Sequence, residues 1–546
     1  MKIVGSYIGI HDQGFALIED NEIIACYSEE RFARIKSCYL MNTFPKISLE
    51  SLQKDFNIDI KDPEIHFVSA KPIQTIPEVF DILNHRPIKL YNHHYSHACG
   101  AYYTSGFDEN TLVVSYDGGD AGDDNFTELN NDNLSKYLTH KVTDTYSAFY
   151  TVKNGKLVEI HKRLEHGTIA NMWYATCCIF GLQPVKDEGK IMGLAAQGKF
   201  DEKIYNMFKF FVENDCCKAF CMVEKYYVDY LDKLSIEEQL NFKRIFAYNL
   251  QYLTENYITK LIGDINSKYG PFKNLCVAGG VFANVKLNQK LNQYLPFDNV
   301  WVYPAMGDEG LSLGSAIAHG VEMGVFKNRR IDNVFFGKKY SQNEIEEYIS
   351  NFQKFCQKEL FIQPLDYNVV GDLLVNGKVV AIYDGATEYG PRALGNRSIM
   401  VEPTKKETHA YINMRLKRDE IMPFAPIILE EYVDDICHYY KSKYTSEYMT
   451  MCYNVKDDWV DRLPAVINIY DGTARPQVVN KNRHKHFHKI LTSFYEKTGI
   501  PVLMNTSFNG HGEPIINSPK EALDHLSNGT IDYLIINNKI CNIYGQ

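Results

Sequence analysis

The chain opens on a β-rich, glycine-punctuated apolar stretch, residues 2–10. Two further runs, residues 15–19 and 23–28, flank Asp20-Asn21, and that pattern predicts a hairpin. Residues 112–116 form a continuous apolar strand that stops at Asp117-Gly118-Gly119. A second short buried strand, 275–278, stops at Gly279-Gly280, and a helix is expected from Phe282 onward. Strands that end in Asp or Gly before a helix predict an α/β domain with its site at the strand ends. Residues 200–270 read as mainly helical, and residues 130–133 as an Asn/Asp-rich surface loop. Residues 324–339 mix basic, polar and Gly positions and give way to a helix with an acidic face, 343–355. A second α/β pattern begins with the strand 379–383 and includes a strand over 501–504. No internal repeat and no low-complexity tract interrupts this order.

A chain of 546 residues exceeds what one hydrophobic core supports, so at least two domains are expected. We place them at 1–345 and 346–546. The composition is 45% hydrophobic and 23% charged, as in ordinary globular proteins. A formal charge of −10 argues against broad non-specific binding to nucleic acid, though not against a local basic groove. No apolar run approaches the roughly 18 residues of a membrane span, and the N-terminal stretch lacks the pattern of a signal peptide. A cytoplasmic protein with no membrane partner is expected. The 13 cysteines are scattered without a C-x-x-C, which argues against a zinc ribbon and for reduced thiols that pack as small hydrophobes.

Five constellations carry candidate chemistry. His93 and His97 are four apart, so on a helix they share a face and could hold one metal ion. Asp117 and Asp308, the latter in Pro304-Ala305-Met306-Gly307-Asp308-Glu309-Gly310, would complete a set suited to iron, manganese or zinc. Cys276 to Asn284 places Gly279-Gly280 after a strand, where backbone can approach a ligand. No G-x-x-x-x-G-K-[ST] and no G-x-G-x-x-G occurs, so nucleotide would be held by neither of those loops. Glu388-Tyr389-Gly390-Pro391-Arg392-Ala393-Leu394-Gly395-Asn396-Arg397-Ser398 carries two guanidinium forks in a Gly/Pro turn, which suits a phosphate. Lys417-Arg418, Arg475 and Asn505-Thr506-Ser507 could add to that pocket. Glu29-Glu30-Arg31-Phe32-Ala33-Arg34-Ile35-Lys36 reads alone as a solvated helix face. Asp187-Glu188-Gly189-Lys190 reads alone as a loop entering a helix. Each motif by itself has such a plain structural reading.

Together, in this order and across nearly the whole chain, the motifs resemble the O-carbamoyltransferase family that includes the nodulation-factor, cephem and aminoglycoside enzymes. His11-Asp12, Glu29 to Lys36, the His93/His97 pair, Asp117, Glu188 to Ala195, Gly279 to Asn284 and Asp308 carry the likeness in the first half. Arg392 to Ser398, Met422-Pro423-Phe424-Ala425-Pro426, Asp471 to Gln477 and Asn505 to Asn509 carry it in the second. The resemblance implies an N-terminal domain of the actin/sugar-kinase (ASKHA) type, similar to tRNA-threonylcarbamoyl transferases, and a C-terminal YrdC-like α/β domain.

The implied reaction joins carbamoyl phosphate and ATP into carbamoyl adenylate, then moves the carbamoyl group to an acceptor hydroxyl. The resemblance assigns Arg392, Lys417, Arg475 and Ser507 to carbamoyl phosphate and ATP, with Arg397, Arg418 and Asn505 nearby. It assigns His93, His97, Asp117 and Asp308 to a divalent metal, iron or manganese, with magnesium accompanying ATP. Glu188, Lys190, Gly279, Gly280 and Asn284 would face the adenylate. His11, beside Asp12, is the expected general base, and Lys36 would stabilise negative charge. Where many family members carry small residues after His-Asp, this chain has Gln13-Gly14-Phe15, which would alter the acceptor side. The acceptor stays open between a sugar or other small-molecule hydroxyl and 5-hydroxymethylcytosine in DNA or nucleotide. The basic run from Asn480 to Lys489 could touch phosphates in the second case; its plainer reading is a solvated helix start. A threonylcarbamoyl-type tRNA modification enzyme and a non-catalytic ASKHA-like binding protein are the competing readings. The oligomeric state stays open, with a homodimer as one option.

Overall fold

The computed structural model describes residues 1–38, 43–71, 76–118, 127–130, 146–163, 168–356, 358–417, 423–438, 440–442 and 444–543. Gly119, Asn131 to Asn133 and Arg418 to Met422 therefore lie outside the described residues. The chain forms two compact units of mixed α/β structure, Met1–Ala33 with Ser37–Ile331, and Arg34–Lys36 with Asp332–Gln546. The helix Gln342–Phe355 thus lies wholly in the second unit, whereas a division at 345/346 would cut it.

The first unit holds two sheets. One runs, in spatial order, Glu22–Ser28, Gly14–Glu19, Lys2–Tyr7, Ile65–Ala70, Ile88–Tyr91 and Glu128–Leu129. The expected hairpin forms, with Asp20 in the left-handed region at φ 52°. The first strand ends at Tyr7, earlier than the apolar stretch, and the chain then turns through His11-Asp12, where Asp12 has φ 53°. The other sheet runs Asn299–Val302, Asn274–Ala278, Thr111–Tyr116, Ser147–Lys153 and Lys156–Arg163. Its first three strands are parallel, and Ala278 and Tyr116 end side by side just before Gly279 and Asp117. In place of one helix from Phe282, a single turn, Gly280–Ala283, precedes the helix Val285–Tyr294. Asn284 caps that helix, its side chain accepting from the Leu287 amide.

Two helices bring the strand ends to one place. His93–Tyr103 is buried along almost its whole length and is capped by Asn92, whose side chain accepts from Tyr95 N. Leu311–Glu322 packs across it, and the crossing requires glycine. A Cβ on Gly314 would lie 2.1 Å from the Ser96 carbonyl oxygen and 2.7 Å from its carbon, which are backbone. That close approach sets Asp308, one turn before the helix, against His93 and His97.

The second unit is built on an eight-stranded sheet ordered Leu360–Pro364, Lys539–Ile543, Tyr533–Ile536, Val380–Tyr383, Arg397–Val401, Val502–Ser507, Ala425–Leu429 and Gln477–Val479. Ser398 pairs with Ser507 and Met400 with Asn505, so these side chains share one face. Arg397, one residue from Ser398, points to the other face, where its guanidinium lies 3.6 Å from the centroid of the Tyr383 ring.

Candidate metal centre and donor-binding turn

His93, His97, Asp117 and Asp308 meet in the first unit, each offering one ligand atom, and these atoms all lie within 4.8 Å of one another. The His93 ring donates from Nδ1 to the Lys71 carbonyl at 3.2 Å, which turns the Nε2 lone pair toward the cluster. His93 Nε2 is 3.5 Å from Asp308 and 3.7 Å from Asp117, and has no hydrogen-bond partner among the described residues. His97 Nε2 is 3.1 Å from Asp117 and 3.4 Å from Asp308. Asp117 is held in turn by the amides of Gly118 at 2.6 Å and Gly280 at 3.0 Å. Gly279 makes the second bond possible. It sits at φ 104°, where a Cβ would be 2.2 Å from the Tyr116 carbonyl. The glycine pair therefore supports a candidate metal ligand directly.

The chemistry of the donor set fits a divalent cation. Burial opposes charge on His97, yet its hydrogen bonds with Asp117 and Asp308 raise it to about 9. Burial would raise Asp117, but His93 and His97 hold it well below the usual carboxylate range. Two carboxylates held in their charged form beside His97, which keeps its proton, form a pocket for positive charge, and a bound cation competes with that proton. His93 and His97 would supply imidazole nitrogens, and Asp117 and Asp308 carboxylate oxygens.

His11 lies beside this cluster. Its Nδ1 is 3.0 Å from Asp12 Oδ2, and its Nε2 is 3.8 Å from Asp308. Burial works against its charge, but the Asp12 hydrogen bond and the Asp308 and Asp12 charges raise it to about 10. Gln13 and Phe15 face inward. Gln13 is buried and donates to the Gly9 carbonyl at 2.7 Å, and Phe15 is in the core. Lys36 is exposed and belongs to the compact second unit, not to the first as the resemblance implied. The segment Glu29-Glu30-Arg31 is not a solvated face: Glu29 is buried and accepts from the Ser48 amide at 2.7 Å.

Tyr7 is the residue that motif reading passes over. Its hydroxyl donates to Asp308 Oδ2 at 2.6 Å from a fully packed position. Burial and the Asp308 charge push that hydroxyl well above its ordinary range, so it stays a donor. Its only sequence signal is its place at the end of the first strand, four residues before His11. Tyr7→Phe is expected to weaken divalent-cation binding about 10–100-fold. Competition with a chelator checks this, and an unchanged affinity counts against the role.

The proposed adenylate residues are partly engaged elsewhere. Asn284 spends its oxygen on the Leu287 amide and its nitrogen on Gln251 at 2.8 Å. Glu188 accepts from the Val185 amide at 2.6 Å, and burial raises its carboxyl. Lys190 pairs with Asp187 at 3.0 Å.

In the second unit, the turn from Gly390 to Asn396 is held by buried polar groups. Glu388 Oε1 accepts from the amides of Leu394, Asn396 and Arg397 at 2.9, 2.8 and 3.1 Å. Gln477 donates to Leu394 O at 2.8 Å, and Asn505 to Ala393 O at 3.2 Å. Arg397 is fully buried and donates to the carbonyls of Asp384, Gly385 and Asn396. The two arginines therefore differ. Arg397 and Asn505 brace the turn from within: the hydrogen bonds of Arg397 go to backbone carbonyls, and those of Asn505 to Ala393 O and the Gln477 side chain. Arg392 stands on the turn itself, half-buried. Arg475 and Ser507 are half-buried near the same strand ends, and Lys417 is exposed with φ 54°. Arg418 is outside the described residues.

In the basic run from Asn480 to Lys489, Arg483 and the histidines have side-chain or backbone partners. Arg483 forms a two-pronged bond to Glu447 at 2.7 and 2.6 Å, and His488 is 3.1 Å from Glu431. Tyr367 lies 2.8 Å from His486, and burial lowers His484 to about 4.

A family model described as Carbamoyltransferase N-terminus matches residues 73–317, and one described as Carbamoyltransferase C-terminus matches residues 371–542. An uncharacterized protein of Methanocaldococcus jannaschii is 32% identical, covering 97% of this chain and 97% of its own length. This chain belongs to the carbamoyltransferase family. The carbamoyltransferase is also similar to nodulation protein NolNO of Sinorhizobium fredii, at 26% identity over 96% of this chain and 78% of that protein. Nodulation protein U of Rhizobium fredii is 33% identical over 46% of this chain and 41% of its own. Among solved structures, full-length HypF in a phosphate- and nucleotide-bound form aligns at 13% identity with a TM-score of 0.33, covering 59% of this chain and 46% of that one. ROK hexokinase from Thermus thermophilus aligns at 12% identity with a TM-score of 0.32, covering 59% and 99%. The carbamoyltransferase is an enzyme by this membership. No helix among its described residues is long and apolar enough to cross a membrane.

Proposed function

We propose that this carbamoyltransferase is an ATP-dependent O-carbamoyltransferase. Carbamoyl phosphate is hydrolysed to carbamate and phosphate, carbamate attacks the α-phosphorus of ATP to give carbamoyl adenylate and pyrophosphate, and an acceptor hydroxyl then displaces AMP. The observation that carries this reading is the meeting of His93, His97, Asp117 and Asp308 beside His11. In the second unit Arg392, Arg475, Ser507 and Lys417 bind the phosphoryl oxygens of the donor and of ATP, on a turn that Arg397 and Asn505 hold rigid. Rigidity matters here because donors placed before the reaction need no reorganisation during it. In the first unit His93, His97, Asp117 and Asp308 would hold iron or manganese, which when bound would supply polarisation of the carbamoyl carbonyl. His11, oriented by Asp12, would take the acceptor proton with the cation bound, because that cation offsets the carboxylate charge that otherwise keeps His11 protonated. Glu188, Lys190 and the Gly279-Gly280 backbone lie on the adenylate side, and magnesium accompanies ATP.

A sugar or other small hydroxyl compound is the acceptor favoured over 5-hydroxymethylcytosine in DNA. The pairing of Arg483, the arginine of the basic run, with Glu447 supports that choice, since a paired cation offers less to a phosphate backbone. The test is pyrophosphate release from ATP, followed by chromatography with and without carbamoyl phosphate. Release that requires carbamoyl phosphate, and that Arg392→Ala lowers about a hundredfold or more, is the expected outcome. Folded protein that releases no pyrophosphate with manganese, iron(II) or magnesium contradicts the two-step route.

A further inference from the structure

Glu388 has more to do than cap a turn. Its side chain is 2% exposed, and only one of its two oxygens is used by the three amides of the turn. The other, Oε2, is buried and has no hydrogen-bond partner among the described residues. A buried carboxylate oxygen is costly until a donor reaches it. The same turn carries Arg392 four residues further on. A ligand that reached this turn with its anionic end on Arg392 could turn a donor toward Oε2.

We propose that Glu388 Oε2 accepts a hydrogen bond from the amino group of the carbamoyl donor and so selects it, an inference that rests on the donor reading above. Carbamoyl phosphate is the complement of this pair. Its phosphoryl oxygens suit Arg392, and its planar NH2, a few bonds away, offers two donors. Acetyl phosphate has nearly the same shape but presents a methyl group, which leaves Oε2 unpaired. A carboxylated phosphate presents an anionic oxygen, which a carboxylate repels. The adenine amino group is also a donor. A small ligand fits better, because acceptor and cation sit within one short turn. Sites that hydrogen-bond a substrate group reject analogues lacking it far better than sites that only match shape.

The experiment measures binding of carbamoyl phosphate and of acetyl phosphate to the full chain by calorimetry. Wild-type protein is expected to prefer carbamoyl phosphate by about tenfold or more. Glu388→Gln retains an amide oxygen for the three backbone bonds but sets N–H against N–H at the second position. That variant is expected to lose most of the preference while its affinity for acetyl phosphate and ATP is unchanged. A purely structural role would weaken both acyl phosphates equally, and that result overturns the proposal. So does a wild-type protein that fails to discriminate, or a variant altered in ATP affinity alone. Should the glutamine variant melt early, infrared difference spectra of the wild type decide. A carboxylate band moved by carbamoyl phosphate and not by acetyl phosphate supports the proposal, and no such difference overturns it. Pyrophosphate release by the wild type tests the underlying reading separately.

Discussion

Asp308→Asn is expected to lower carbamoyl transfer about a thousandfold. The carboxylate faces three partners at once: His93 Nε2 at 3.5 Å, His97 Nε2 at 3.4 Å and the Tyr7 hydroxyl at 2.6 Å. An amide keeps the shape but removes the charge that balances a divalent cation. It can also set an N–H against the Tyr7 hydroxyl, which already donates to this carboxylate. Metal content, measured on protein dialysed against a fixed metal buffer, is expected to fall with activity. Pyrophosphate release by the second unit is expected to continue, because none of the proposed donor-binding residues belongs to the cluster. Full metal content with full transfer in this variant would remove the cluster from the account. His97→Ala is expected to behave in the same way, since His97 is fully buried and its Nε2 faces both carboxylates.

Arg397→Ala and Arg392→Ala are expected to fail in different ways. The first removes a fully buried guanidinium that donates to three carbonyls and stacks on Tyr383. Those carbonyls are left without their donor, and a cavity opens in the sheet face. Losses of this kind are about 3–5 kcal/mol, equivalent to a drop of roughly 10 °C in the melting temperature of a unit this size. Lysine is not expected to rescue it, because an ammonium cannot reproduce a planar fork. The second variant removes a half-buried side chain from the surface of the turn, so its melting temperature is expected to stay within about 2 °C of wild type. Its loss appears in pyrophosphate release instead. A melting curve paired with the release assay separates the two, and equal destabilisation by both would contradict the division of labour.

What could be read from the sequence follows from what spacing encodes. The α/β class was legible because short apolar strands end at Asp117 and Gly279 and recur after residue 379. His93 and His97 were legible as a pair because four residues make one helical turn. Their meeting with Asp117 and Asp308 depended on order of motifs, since the contacts that close it lie far apart in the chain. Tyr7 was not legible. A tyrosine at the end of an apolar strand looks like core, and only the fold shows Asp308 beside its hydroxyl. The distinction between Arg392 and Arg397 was equally hidden. Both sit in one Gly/Pro turn, but strand alternation carries Arg397 to the Tyr383 side of the sheet and into the interior. Asn284 and Asn505 look like ligand-binding amides in sequence. In the fold they satisfy a helix end and a turn, which are backbone demands that composition does not reveal.

The most direct test of the account follows the carbamoyl group itself. The full chain, loaded with manganese or iron(II), is incubated with ATP, carbon-13-labelled carbamoyl phosphate and a panel of hydroxyl compounds. The panel includes a sugar, an aminoglycoside, a hydroxymethylcytosine nucleotide and DNA carrying that base. Mass spectrometry then follows each acceptor. The account predicts that one acceptor gains the labelled carbamoyl mass, with AMP formed in equal amount, and that Asp308→Asn prevents the gain. An acceptor that gains a phosphoryl group instead, or one that gains the label without consuming ATP, would contradict it.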